Sequence, residues 1–109
     1  MKKVQNNKIT MTRGDTCRIK LSLTDSSGNE FVPSDGDVIR FAAKRHYTDA
    51  EPSIFITVPN DTLILEIKPE DTKHLEFGTY VYDLQITFAD GTIDTFVSKS
   101  MLRLEEEVD

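Results

Sequence analysis

Alternation of apolar and polar residues at every second position is what most narrows the folds open to this chain. Tyr80, Tyr82, Leu84, Ile86 and Phe88 fall on one face of a run whose other face carries Asp83, Gln85 and Thr87. A period of two sends successive side chains to opposite sides of a strand, so one face is buried and the other is wet. The spacing recurs at Ile9 and Met11, at Cys17, Ile19, Leu21 and Leu23, and at Ile39, Phe41 and Ala43. Shorter runs predict strands at Phe31-Val32, at Ile54-Phe55-Ile56, at Leu63, Leu65 and Ile67, after Ile93, and at Leu102 and Leu104.

Turn chemistry separates these runs. Asp25-Ser26-Ser27-Gly28-Asn29, Pro33-Ser34-Asp35-Gly36-Asp37, Pro59-Asn60-Asp61 and Ala89-Asp90-Gly91-Thr92 collect the residues that favour tight turns. The last is an Asp-Gly hairpin signal. Only Pro69 to Leu75, with Pro first and acids behind it, reads as a helical turn. Seven to nine short antiparallel strands at regular spacing predict an all-β sandwich. At 109 residues, 1–109 is expected to be a single domain around one core.

Charge and cysteine content narrow the function. Thirteen Lys and Arg against nineteen Asp and Glu give a net charge of −6, which argues against nucleic acid and anionic membrane surfaces as partners. Cys17 is the only cysteine, so no intramolecular disulfide can form. That usage fits a reducing compartment. The first residues carry lysines but no apolar core of a signal peptide, and no apolar run approaches the roughly 20 residues of a membrane span. Synthesis in the cytosol is expected.

Residues 71 to 82 sharpen the fold. Immunoglobulin-like sandwiches place a Tyr at the start of strand F, two positions before a Cys, with its hydroxyl bonded to upstream backbone. Tyr80 fits that tyrosine corner, preceded by Asp71-Thr72 and the helical turn. Tyr82 takes the position of the Cys, and Cys17 lies mid-strand where the other half of the disulfide would stand. The expectation is a disulfide-free immunoglobulin-like sandwich with Cys17 and Tyr82 packed, not bonded.

"ITMTRGDTCRIKLSL", "DSSGNEFVPSDGDVIRFAAKR", "LEIKPEDTKHLEFGTYVYDLQITFADGTIDTF" and "LRLEEEV" together cover nearly the whole chain. In their order and spacing they resemble small tail-associated domains encoded by phages and prophages of Gram-positive bacteria, similar to the N-terminal domain of upper baseplate proteins. The resemblance implies a structural, non-catalytic part of a tail, made in the bacterial cytoplasm and located in the virion tail, with other tail or baseplate proteins, or further copies of the chain, as partners.

No residue pattern points to catalysis or a cofactor. Cys17 alternates with apolar neighbours and should be an inert buried thiol. Neither His46 nor His74 has a second ligand at metal-binding spacing, and the loop aspartates lack the Asp-x-Asp-x-Asp-Gly order of a calcium loop. Arg13-Gly14-Asp15 matches an integrin tripeptide, but Gly-Asp before a strand is ordinary turn chemistry. Arg45 and Tyr47 are the candidate interface residues, because Tyr and Arg favour interface centres. A Tyr47 lying along its own sandwich edge is the competing reading. A module binding cell-surface carbohydrate or protein through its loops is the alternative function.

Overall fold

The computed structural model describes residues 3–5, 7–25 and 27–107, with the side chains of 3–5 left aside. The ends of the basic N-terminus and acidic C-terminal tail, and Ser26 of the first predicted turn, lie outside the described residues. The chain forms β1 (Lys3–Gln5), β2 (Lys8–Thr12), β3 (Cys17–Lys20), β4 (Val38–Lys44), β5 (Ile54–Val58), β6 (Ile64–Ile67), α1 (Pro69–Thr72), β7 (Gly78–Thr87) and β8 (Ile93–Glu105). It is all-β. Six strands make one sheet in the order β1-β2-β8-β7-β4-β5, and β3 pairs with β6 in a second, two-stranded sheet.

The expectation of purely antiparallel strands is corrected. β2 runs parallel to β8, with Ile9 opposite Leu102 and Met11 opposite Leu104, so the large sheet is mixed. Alternation fixes which face of a strand is buried and leaves its direction open. Here the whole domain lies between β2 and β8, long enough for a parallel return. No strand forms at Phe31-Val32, where a Thr24–Glu30 bridge and hydrogen bonds from the Phe31 N–H to the Leu23 carbonyl and from the Asp25 N–H to the Asn29 carbonyl tie the chain together. The two predicted strands after Ile93 are one strand, β8, broken by a bulge.

Both sheets contribute to one core. Ile9, Met11, Phe41, Leu102 and Leu104 come from the large sheet, and Cys17, Leu65 and Ile67 from the small one, all almost fully buried. Burying a side chain such as Phe41 or Leu102 stabilises the fold by about 2 kcal/mol. At α1 the Asp71 carboxylate accepts the Lys68 N–H at 2.8 Å, closing the first turn. The buried Thr72 hydroxyl accepts the Gly14 N–H at 2.8 Å, which docks the helical turn on the loop between β2 and β3. Among the described residues no helix is long and apolar enough to cross a membrane.

Candidate functional site

Tyr80 stands on the inner face of β7 with its hydroxyl donating to the Glu76 carbonyl at 2.8 Å. Burial pushes its phenol above the usual 10.0, and the Arg45 guanidinium pulls it partly back. That guanidinium lies 5.1 Å over the Tyr80 ring and donates to the Thr79 carbonyl at 3.1 Å. Arg45 therefore covers its own tyrosine corner. Gly78, at φ +133, lies where any Cβ would overlap the Arg45 guanidinium. The glycine of Gly-x-Tyr-x-Tyr makes room for that cover.

Two positions along, Tyr82 sits 5.1 Å from the Phe41 ring and donates its hydroxyl to the Asn7 carbonyl. Burial raises its phenol as well. Cys17 is buried on β3, opposite Ile67 of β6. Tyr82 and Cys17 thus belong to the inner faces of the two different sheets. Asp71 is some distance from this chemistry in role: it closes α1.

Tyr47, 67% exposed, lies in the loop after β4, with the Lys99 ammonium 5.4 Å above its ring. Lys99 belongs to the β8 bulge, at φ 51, and its N–H is held by the Asp83 carboxylate at 2.7 Å. Asp83 points outward from β7, so Tyr47 and Lys99 border the outer face of the large sheet. Phe55, 57% exposed, and Met101, 43% exposed, stand on that same face. Register places Phe55 beside Ala42, and Lys44 beside Val81, which in turn faces Met101. Sequence reasoning missed this apolar strip, although it left a mark. Ile54-Phe55-Ile56 and Tyr80-Val81-Tyr82 carry apolar residues at positions that alternation reserves for polar ones.

A second feature lies on the inner side. The two strands β3 and β6 face the six-stranded sheet, and space remains beside Asp94, Phe96 and Val97. A groove of about 700 Å³ results, lined by Leu21, Leu23, Phe31, Leu84, Phe88 and Phe96. Its charged lining residues are Asp25, Asp94 and Lys20. The ladder partners of β8 on its β2 side begin only at Leu102, and β3 is paired only by β6, so both strand edges that border the groove are open among the described residues.

Arg13 of the Arg-Gly-Asp tripeptide is occupied within the fold. It donates to Glu107 at 2.6 and 3.0 Å and to the Leu75 carbonyl at 2.8 Å. His46 and His74 are exposed, and among the described residues no three His, Cys, Asp or Glu side chains converge as a metal site would require. Compared with known proteins, the chain matches no family model, no curated sequence and no solved structure.

Proposed function

We propose that this chain is an immunoglobulin-like structural and interaction module of a phage or prophage tail, of baseplate type, without catalytic activity. The strand order supports the immunoglobulin-like part: β3 and β6 take the places of strands B and E, and β4, β7 and β8 those of C, F and G. The Tyr80 hydroxyl on the Glu76 carbonyl supports it too. The observation that carries an interaction role is the outward apolar strip of Phe55, Val81 and Met101, with Tyr47 at its border, on a sheet face that the protein itself leaves bare. Exposed apolar strips rimmed by polar groups are characteristic of protein contact surfaces. Other tail proteins, or further copies of the chain, are the partners this reading implies. Tail particles purified from a lysogen that encodes the chain should contain it in fixed ratio to other tail proteins by mass spectrometry. Its absence from intact particles would reject the tail assignment.

A second reading has one observation in its favour. The groove beside Phe31, Phe88 and Phe96 opens near the loops at one end of the fold and has a volume within the roughly 300–1,000 Å³ of small-ligand sites. A module binding cell-surface carbohydrate or protein would use it. Retention on a cell-wall fraction that is lost on Phe96→Ser would favour this reading, and no retention would remove it.

A further inference from the structure

The charges of this chain are sorted by location. On the outer face of the large sheet Arg40, Lys44, Lys99 and Arg103 surround the apolar strip. Two acids share that face: Asp83 already has an oxygen on the Lys99 N–H, and Glu105 stands at the far end of β8 beyond Arg103. The loop end is the reverse. Residues 21–39, 58–65 and 86–98 contain no Lys or Arg, and they expose Asp25, Glu30, Asp35, Asp61, Asp90 and Asp94.

These loops form one surface. The Asn60 amide donates to the Asp37 carbonyl at 2.8 Å, the Ala89 N–H donates to the Asp37 carboxylate at 3.1 Å, and the Phe31 and Phe88 rings meet edge to face at 6.1 Å. Within this acidic pole opens the apolar groove, whose lining carries Asp25, Asp94 and one cation, Lys20, held on the Thr62 carbonyl at 2.6 Å. One chain therefore carries an apolar strip surrounded mainly by bases and an apolar groove set among mainly acidic loops, on opposite sides of the same sheet.

At a net charge of −6, two copies repel unless patches of opposite sign meet. We propose that the chain assembles head to tail, the basic-rimmed sheet face of one copy seated on the acid-rimmed groove of the next. Phe55 and Tyr47 are the apolar anchors, and the carboxylates of the pole meet Lys44 and Arg103. The contact joins two different surfaces, so each added copy still offers one free face and one free pole, and the assembly grows into a ring or a filament. The inference rests on the interaction role proposed above and names its partner as a second copy.

Two variants test it: a face variant with Phe55→Glu and Lys44→Glu, and a pole variant with Asp35→Lys and Asp94→Lys. Sedimentation velocity should show wild-type association that weakens roughly tenfold between about 50 and 500 mM salt, as screening of surface charge requires. Each variant alone should stay at 12.4 kDa, with unchanged circular dichroism. An equimolar mixture of the two should regain association, since each supplies the surface the other lacks. A monomeric wild type, a salt-independent association, or loss in the face variant alone would overturn the head-to-tail contact. Absence from purified particles rejects the tail assignment instead, and neither result implies the other.

Discussion

Tyr80, Gly78 and Arg45 show how few atoms define the start of β7. The Tyr80 hydroxyl ties β7 to the Glu76 carbonyl, the Arg45 guanidinium lies on the ring, and Gly78 leaves space for it. Tyr80→Phe removes one partly buried hydrogen bond and should cost about 1–2 kcal/mol in urea unfolding. Gly78→Ala combines a backbone conformation that suits only glycine with an overlap on Arg45. It should cost about 2–3 kcal/mol by the same measurement. The two phenols also set a pH dependence. Burial holds Tyr80 and Tyr82 above 10.0, so the folded state keeps protons that the unfolded chain releases. Their contribution is whole below pH 10.0 and is lost as pH rises through the raised values. Urea midpoints should fall as pH rises above 10.0, and more shallowly in Tyr80→Phe. The corner was legible in sequence because its tyrosine, turn and glycine are adjacent in the chain. The Arg45 cover was not, since 33 residues of spacing from Gly78 says nothing of which ring a guanidinium will meet.

Individual strands were read from alternation wherever one face is buried, as in β4 and β7. Alternation is silent on partners, and the parallel β2–β8 pair and the split into six and two strands are choices made by tertiary packing. At Leu21 and Leu23 it gave the buried face correctly and the strand too long, since the ladder of β3 ends at Lys20. Beyond that point single hydrogen bonds replace the ladder, from the Leu21 N–H to the Leu63 carbonyl and from the Phe31 N–H to the Leu23 carbonyl, and the groove opens there. At the other end of the fold, Glu107 holds the end of β8 to the rest. Hydrogen bonds from Lys73 and from Arg13 keep its carboxyl below the usual carboxylate range. A carboxylate depressed in this way stabilises the fold above its unfolded value of 4.5, and the effect disappears as pH falls through the folded value. Glu107→Gln should therefore lower the urea midpoint at pH 7, and the difference from wild type should shrink as pH falls below 4.5.

For the molecule as a whole, the distribution of charge matters more than its total. A net charge of −6 argues against nucleic acid and conceals a basic sheet face, because a sum over the chain has no geometry. Folding brings Arg40, Lys44, Lys99 and Arg103 to one side and gathers the loop carboxylates at one end, and neither grouping can be read from residues so far apart in sequence. The tail resemblance and the two complementary surfaces lead to the same expectation, a part that works by meeting its neighbours. Light scattering of the wild-type chain over a wide concentration range at low salt is the most direct test of that claim. A mass that climbs in multiples of 12.4 kDa is the predicted result. A mass fixed at a single chain throughout would contradict it.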